Sequence, residues 1–502
     1  MRKVQQTNGS VSKTVLVLVV LVALLASVFP LEIAWAGSAP ARPVIIAPLS
    51  TTVATRPVFK WVGSTDVHHY LLSVYNLGYA RFYIKNLAVA TSACAGTPLV
   101  CQVKANVNLP NGQYRFSVAA INAFGSSGYG SSDSWTVFTQ ANPVAAASQV
   151  SLGSNHACAL TLAGGLKCWG DNTFGQIGAG VFSARLTPIS VKGLESGVLQ
   201  VSAGTNHTCA VTRSGGVKCW GYNNKGQLGD GSTSNRAAPV NVSGLGSGVR
   251  AIAAGKGHTC ALTQAGLVKC WGANQLGQLG TGSTTNSLVP QKVTGLEGVI
   301  SITAGSNFTC ALTSSNQVKC WGSNSYNTLG GAPGGHSSLP VQISGLIGSL
   351  AAISAGYAHV CALTNSGQAW CWGNNAYGAL ADGTNAPNRA TPVQVQGFSG
   401  DISSFAAGNQ HNCVVTSSGA VKCWGWNWAG QVGDGTSIDR GVPMPVSGMT
   451  SGLQGVAARD GFSCAINAIG GVMCWGSNYA GQLGGTAGVP RLEPVYVMGF
   501  GR

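Results

Sequence analysis

Short apolar runs alternate with glycine-rich turns along most of the chain, a pattern that is typical of β-strands joined by tight connections. In one such stretch, the run Cys158-Ala-Leu-Thr passes through Leu162-Ala-Gly164 into Gly-Leu-Lys-Cys168-Trp-Gly. Gly164 is the third residue of the connection, where a three-residue hairpin loop needs a left-handed residue. Counting outward from the loop places Cys158 opposite Cys168. The pattern therefore predicts a β-hairpin.

This hairpin pattern occurs seven times. Successive Cys-Trp-Gly tripeptides lie 51, 51, 50, 51, 52 and 51 residues apart, and another cysteine stands ten residues before each. The third loop position is always glycine or asparagine, the two residues that tolerate positive φ. These positions are Gly164, Gly215, Gly266, Asn316, Gly367, Gly419 and Gly470. The constant period indicates a repeat architecture.

Each repeat contains two further strand-like segments. One is a Pro-Val-x-Val segment followed by Gly-Leu, as at Pro239-Val-Asn-Val242, and the other ends in Ala-Gly, as at Ile252-Ala-Ala-Gly255. Four short strands per unit are typical of a propeller blade, and seven blades lie within the usual range. A linear solenoid is the alternative, but the chain has no distinct polar capping repeats. We predict an all-β fold with a seven-bladed β-propeller over residues 145–502.

The paired cysteines predict disulfides. Opposed residues on antiparallel strands have Cα atoms about 4.5–5.5 Å apart, which suits a disulfide. The predicted pairs are Cys158–Cys168, Cys209–Cys219, Cys260–Cys270, Cys310–Cys320, Cys361–Cys371, Cys413–Cys423 and Cys464–Cys474.

Zinc is the competing interpretation of these cysteines. A histidine stands two residues before the first cysteine in five copies: His156, His207, His258, His359 and His411. However, Phe308 and Phe462 replace it in the other two copies, and two ligands per copy are too few. We therefore expect no metal and no other cofactor. The histidine is expected to pack or hydrogen-bond within its own hairpin.

A glycine-rich segment with the consensus Gly-x-Asn-x-x-Gly-Gln-Leu-Gly follows each Cys-Trp-Gly. Its glycines exclude a helix, and no Lys-Ser/Thr pair follows, so it does not predict a phosphate-binding loop. Asp230, Asp382 and Asp434 come shortly after it, but single carboxylates do not make a calcium site, and a turn is expected.

Aromatic residues occupy variable positions of these loops and are the candidate partner-binding residues. They are Phe174, Tyr222, Tyr326, Tyr377, Trp426, Trp428 and Tyr479. Rings on loops at one rim of a propeller would resemble the anchors of binding interfaces, and they could equally stack on sugars. Packing between neighbouring blades is the other interpretation. Trp426 and Trp428 flank one asparagine, so at least one of them should be exposed.

Composition and charge narrow the class of protein. Only 8% of the residues are charged and 72 are glycine, which argues against long charged helices. The formal net charge is +15, but the basic residues are scattered without a run of three, so no nucleic-acid partner is expected. Residues 1–36 combine a basic start, an apolar stretch and Ala34-Trp-Ala36, which predicts a cleaved signal peptide. The apolar stretch is shorter than the roughly 20 residues of a membrane span.

Residues 41–140 lack the repeat and form a separate predicted module. Alternating residues at 70–75 and 114–120 predict strands, and Trp61 and Trp135 suit a core. The run Leu109-Pro-Asn-Gly-Gln-Tyr114 resembles a fibronectin type III domain, a β-sandwich in which Tyr114 would be the corner residue. Cys94 and Cys101 are expected to form a disulfide, and the module to serve as a spacer.

The repeat itself resembles a known family. Cys-Ala-Leu-Thr, Cys-Trp-Gly and Gly-x-Asn-x-x-Gly-Gln-Leu-Gly are similar to the repeats of the regulator of chromosome condensation family, over residues 145–502. The resemblance implies a seven-bladed propeller, a fold shared with β-lactamase inhibitor protein II. Members include nucleotide exchange factors, inhibitors and adaptor modules, so the fold alone does not select a function.

The sequence offers no catalytic constellation. The 13 acidic residues form no paired-carboxylate pattern, no Gly-x-Ser-x-Gly motif occurs, and all 16 cysteines are expected in disulfides. We therefore expect a secreted, monomeric, non-enzymatic propeller that docks a protein or a cell-envelope glycan. The alternatives are guanine nucleotide exchange on a small GTPase and inhibition of an extracellular enzyme such as a β-lactamase. Export would separate the protein from a cytoplasmic GTPase, which disfavours exchange.

Overall fold

The computed structural model describes residues 145–331, 335–384 and 386–501 in full. In the N-terminal unit, Met1–Pro143, it describes only strand segments. These are β1 to β10: Val44–Ile45, Val58–Val62, His69–Asn76, Ile84–Ala90, Cys94–Ala95, Val100–Lys104, Gly112–Asn122, Gly125–Ser126, Gly130–Ser131 and Trp135–Val137. The expected signal peptide, fibronectin-like sandwich and Cys94–Cys101 disulfide lie outside the fully described residues.

The C-terminal unit, Val144–Arg502, is a seven-bladed β-propeller, as predicted. Each blade is a four-stranded antiparallel sheet of consecutive strands, paired in chain order. Blades 1 to 3 contain β11–β14 (Ala147–Leu152, His156–Thr161, Leu166–Gly170, Arg185–Ser190), β15–β18 (Val198–Ala203, His207–Thr212, Val217–Gly221, Arg236–Asn241) and β19–β22 (Val249–Ala254, His258–Thr263, Val268–Gly272, Ser287–Lys292). Blades 4 and 5 contain β23–β26 (Val299–Ala304, Phe308–Thr313, Val318–Ser323, His336–Gln342) and β27–β30 (Leu350–Ala355, His359–Thr364, Ala369–Asn374, Asn388–Gln394). Blades 6 and 7 contain β31–β34 (Ile402–Ala407, His411–Thr416, Val421–Gly425, Arg440–Pro445) and β35–β38 (Leu453–Arg459, Phe462–Asn467, Val472–Gly476, Arg491–Tyr496). One 3-10 turn, Ala376–Gly378, stands in a loop of blade 5.

The second and third strands of each blade form the predicted hairpin. Cys158 pairs with Cys168 in the register, and the backbone N–H of Thr161 donates to the Gly165 carbonyl at 2.8 Å. The third loop residue is left-handed throughout, with φ of 81° at Gly164 and 63° at Asn316. All seven predicted disulfides of the propeller are present. These contacts all lie within single hairpins, which is why the sequence of one repeat was enough to predict them.

The first strand of every blade is innermost. Residues of β11, β15, β19, β23, β27, β31 and β35 together line a channel on the propeller axis. Neighbouring first strands pack around the ring, and β35 packs against β11 to complete it. The two chain ends meet beside this contact through a short parallel bridge between Ala145 and Phe500. Because every sheet is built from one contiguous segment, the ring closes without exchanging a strand.

The core lies between blades, where the tryptophan of each Cys-Trp-Gly is the central side chain. All seven of these tryptophans are fully buried. Trp271 of blade 3 packs on the Cys209–Cys219 disulfide and on Leu228 of blade 2. The same arrangement joins the ends of the ring, because Trp169 of blade 1 lies in one cluster with Cys464 and Cys474 of blade 7. The disulfide of one blade thus supplies the surface on which the next blade packs.

Candidate binding face

Two sets of loops meet at one end of the propeller. The Gly-x-Asn loops after each third strand lie beside the turns between the first and second strands. Backbone hydrogen bonds join them, for example from Asp171 N–H to the Asn155 carbonyl at 2.8 Å and from Trp426 N–H to the Gln410 carbonyl at 2.9 Å. We call this end the loop face. The hairpin loops between second and third strands lie at the opposite end, the hairpin face.

The asparagine of each Gly-x-Asn loop holds the loop in shape from within. Asn172 is fully buried, its Oδ1 accepts from the Ile177 N–H at 3.0 Å, and its Nδ2 donates to the Ser183 carbonyl at 2.9 Å. The glutamine adds a second constraint, because Gln176 Oε1 accepts from the Phe174 N–H at 2.9 Å. Side-chain amides therefore satisfy backbone groups that no helix or sheet satisfies here. The variable residues between them are presented on a rigid support.

The aspartates that follow three of these loops stabilise turns. Asp434 accepts from the N–H and hydroxyl of Thr436, and Arg440 Nε donates to the same carboxylate at 2.6 Å. These bonds hold the pKa of Asp434 below its ordinary value, against the opposing effect of burial. Asp230 with Arg236 and Asp382 with Arg389 repeat the arrangement. In the described part of the chain, no three His, Cys, Asp or Glu side chains cluster as metal ligands would.

The candidate aromatic residues all lie in the loops of this face, and the structure brings five of the seven together in two groups. Phe174 packs on Tyr222 of the next blade with ring centroids 4.5 Å apart. Tyr377 of blade 5 lies 6.1 Å from Trp426 of blade 6, which stacks on Trp428 at 5.9 Å and 30°. We call this second group the aromatic trio.

Both interpretations of these rings are partly right. Phe174, Tyr222 and Trp426 are half-buried across blade boundaries, as packing between blades predicts. Trp428 and Tyr377 are 54% and 46% exposed, and Asn427 between the tryptophans is fully buried. Tyr326 and Tyr479 are also exposed, and among the described residues neither contacts another ring. The aromatic trio is therefore an exposed aromatic surface whose position is held by the buried Asn427 between the two tryptophans.

Beneath the loop face, side-chain hydrogen bonds cross the blade boundaries. Trp271 Nε1 donates to the Gln227 carbonyl of the preceding blade at 2.9 Å, and the Thr259 hydroxyl donates to the same oxygen at 2.9 Å. His207 Nε2 lies 2.9 Å from that hydroxyl oxygen. Since the threonine proton is already directed to Gln227, the imidazole must carry its proton on Nε2 and donate it. The tryptophan bond recurs at all seven boundaries, including Trp169 to Gln482 across the closure.

The five repeated histidines are neutral because they are buried. They are completely or almost completely buried, and burial lowers the pKa of His207, His258 and His411 to about 3 and of His156 and His359 to about 4. The expectation that each histidine bonds within its own hairpin was wrong. Its partner is the residue before the first cysteine of the next blade, because the ring sits at the boundary between blades.

The same contact between blades explains why Phe308 and Phe462 replace the histidine in two copies. Histidine occurs where the next blade offers a hydroxyl or amide, as with His359 and Asn412 Oδ1 at 2.8 Å. Phe308 instead faces the boundary position occupied by Val360, and both belong to one apolar cluster. Phe462 likewise shares a cluster with Ala157 of blade 1. The polarity of each residue therefore matches its partner one blade away.

At the centre of the loop face, the mouth of the channel forms a cavity of about 230 Å³. Its lining comes from the turns between first and second strands and from Arg459 at the end of β35. The turn residues are Ser154, Thr205, Lys256, Ser306, Gly356, Tyr357, Gly408, Asn409 and Asp460. Sequence reasoning missed this feature. The signal was present, since Arg459 stands where the other six copies have glycine.

Comparison with known proteins agrees with this architecture. The profile of the RCC1-like domain matches residues 249–500, and those of the regulator of chromosome condensation (RCC1) repeat match residues 147–176, 198–227, 164–211 and 214–262. The ultraviolet-B receptor UVR8 of Arabidopsis thaliana is 33% identical over 354 residues, which are 69% of this chain and 69% of UVR8. The human E3 ubiquitin-protein ligase HERC2 is 34% identical over 272 residues, 53% of this chain but only 5% of HERC2.

Two solved structures share the fold. Prp20p from Saccharomyces cerevisiae has a TM-score of 0.57 at 23% identity, over 63% of this chain and 81% of Prp20p. Human WBSCR16 has a TM-score of 0.59 at 21% identity, over 66% of this chain and 92% of WBSCR16. Within the described residues, no helix is both long and apolar enough to cross a membrane. Repeat pattern, blade geometry and matched profiles agree that this chain belongs to the RCC1 repeat family.

Proposed function

We propose that this protein is an exported, non-catalytic binding propeller that docks a protein or a cell-envelope glycan through its loop face. The observation that carries the proposal is the aromatic trio. Tryptophan and tyrosine are enriched among the residues that dominate binding interfaces. Trp428 stands 54% exposed although it stacks on a partly buried neighbour, so its ring is both oriented and accessible.

The relatives support a docking role. The solved structure of Prp20p concerns its binding to Gsp1p and histones, and the same protein, yeast RCC1 (Prp20), has also been solved bound to Kap60. A propeller of this family can thus serve as a platform for other proteins. The loops of the present chain supply a platform whose backbone is fixed by buried asparagines, which reduces the ordering cost of binding. Export rests on the predicted signal peptide of residues 1–36.

A pull-down from the secreted and surface fractions of the producing organism tests the proposal. The variant Trp426→Ala with Trp428→Ala should lose most captured material, because both trio rings of blade 6 are removed. The matched control is Leu162→Ala with Ile469→Ala, which removes two side chains that are 67% and 62% exposed on the hairpin face. Loss of capture by the control alone would assign binding to the other face and refute the proposal.

The alternatives are measured on the same protein. Faster release of bound nucleotide from a small GTPase would establish exchange activity. Inhibition of a β-lactamase or extracellular protease would establish an inhibitor. The docking proposal expects neither activity, and it expects a glycan array or the pull-down to identify the ligand.

A further inference from the structure

One blade departs from the other six at the channel mouth. In blades 1 to 6 the turn after the first strand begins with glycine: Gly153, Gly204, Gly255, Gly305, Gly356 and Gly408. A Cβ added to Gly153 would overlap the ring of His156 and the carbonyl oxygen of Gly204, so the regular turn has no room for a side chain. Blade 7 has Arg459 at this position, and its turn has a different backbone, with Asp460 at φ 39°.

Arg459 has a special place in the channel. Among the described residues, it alone lines both the mouth cavity and the channel below it. Its guanidinium makes no ion pair within 4.0 Å and no hydrogen bond to any described residue. The Asp460 carboxylate lines the same cavity and supplies favourable charge, but it makes no hydrogen bond to the guanidinium. Burial of a charge is costly unless hydrogen bonds and opposite charge compensate it. The Arg459 side chain therefore keeps N–H donors that no described residue satisfies.

The surroundings supply further donors for such an acceptor. Lys256 contributes a second cation, and Ser154 and Thr205 contribute hydroxyls to the cavity. Ser306 is only 6% exposed, yet its Oγ has no hydrogen-bond partner in the described structure. The carboxylate of Asp460 accepts from Asn409 Nδ2 at 3.1 Å and leaves the cavity with one net positive charge.

The geometry points to a binding site for a small oxyanion at the channel mouth, with Arg459 as the principal ligand and Lys256 and Ser306 as further donors. A phosphate, sulfate or carboxylate group fits the chemistry, because guanidinium pairs with planar or tetrahedral oxyanions through two parallel hydrogen bonds. A cavity of about 230 Å³ is smaller than the pockets that enclose drug-sized ligands, which limits the ligand to a small anion or one anionic group. This inference does not rest on the proposed docking function.

Isothermal titration of the full chain with inorganic phosphate, sulfate and acetate in a chloride buffer tests the site. We expect saturable binding of at least one oxyanion that Arg459→Gly weakens by about tenfold or more. Arg459→Gly restores the residue found in the other six blades, so the fold should tolerate it, and a thermal melt checks this. Lys192→Gln removes one exposed positive charge outside the cavity and should bind like the wild type.

Two results would overturn the inference: no saturable binding of any of the three anions, or equal binding by the wild type and Arg459→Gly. A further arm separates the inference from the docking proposal. Trp426→Ala with Trp428→Ala should leave oxyanion binding unchanged, since neither ring lines the cavity. Acetate against phosphate shows whether the ligand group is a carboxylate or a phosphoryl group.

Discussion

The pairing of histidine with a hydroxyl across blade boundaries makes a quantitative prediction. In blade 2, His207 Nε2 donates to Thr259 Oγ1 at 2.9 Å, and neither side chain has any exposed surface. The variant Thr259→Val removes the acceptor and leaves an imidazole N–H unpaired in a dry core. Such a group destabilises a protein by about 1–3 kcal/mol. Adding His207→Phe should recover most of this loss, because the pair then matches Phe308 and Val360 two blades further on.

Equilibrium unfolding in guanidinium chloride, with disulfides intact, measures both the single and the double variants. The reciprocal test is Phe308→His, which places an imidazole against Val360 and should be destabilising until Val360→Thr is added. A double-mutant cycle should give a favourable coupling of about 1–2 kcal/mol at each boundary. If Thr259→Val is no less stable than its double variant, the boundary bond does not determine which residue stands at this position.

Three further predictions follow from the same structure. Stability should fall as the pH drops from 6.5 toward 4, because the unfolded state binds protons at histidines whose native pKa is lowered to about 3–4. Each histidine contributes up to about 1.4 kcal/mol per pH unit to this loss. In thermal melts recorded over a range of pH, the variant His207→Phe with Thr259→Val should show a smaller dependence of stability on pH. Phe500→Ala should cost about 3–5 kcal/mol and increase hydrogen exchange in β11 and β38, since this ring is buried 5.9 Å from Trp169 at the closure, whereas the exposed Phe182→Ala should not. Cys260→Ala with Cys270→Ala should lower the stability by roughly 3 kcal/mol by the loop-entropy relation. The intact mass of the wild-type protein should rise by two hydrogens per disulfide on reduction, with an eighth pair expected at Cys94 and Cys101.

The hairpins could be read directly from the sequence because their determinants are local. The left-handed residue and the two cysteines lie within one stretch of about ten residues, so loop geometry alone sets the register. Repetition of that unit then indicated blades. The sequence also led to the expectation that at least one of Trp426 and Trp428 is exposed. Trp428 is exposed, whereas Trp426 is half-buried, and Asn427 between them is fully buried.

The partner of the repeated histidine could not be read in this way. His207 and Thr259 are 52 residues apart, and nothing in a single hairpin shows that the imidazole crosses to the next blade. Comparison of adjacent copies does contain a trace of it. Phe308 precedes the copy that has Val360, and Phe462 precedes, around the ring, the copy that has Ala157. This correlation between adjacent copies can be interpreted only once the contact between neighbouring blades is known.

By itself, the sequence determined the period, the hairpin register, the disulfide pairs and the family. These depend on contacts within one repeat, which recur because the repeat recurs. Tertiary structure alone decided how the ring closes, with Trp169 bonded to Gln482 over 313 residues, and where the single arginine among six glycines is directed. Both are properties of the axis and the boundaries. Those places exist only after seven blades have packed side by side, so no single repeat can encode them.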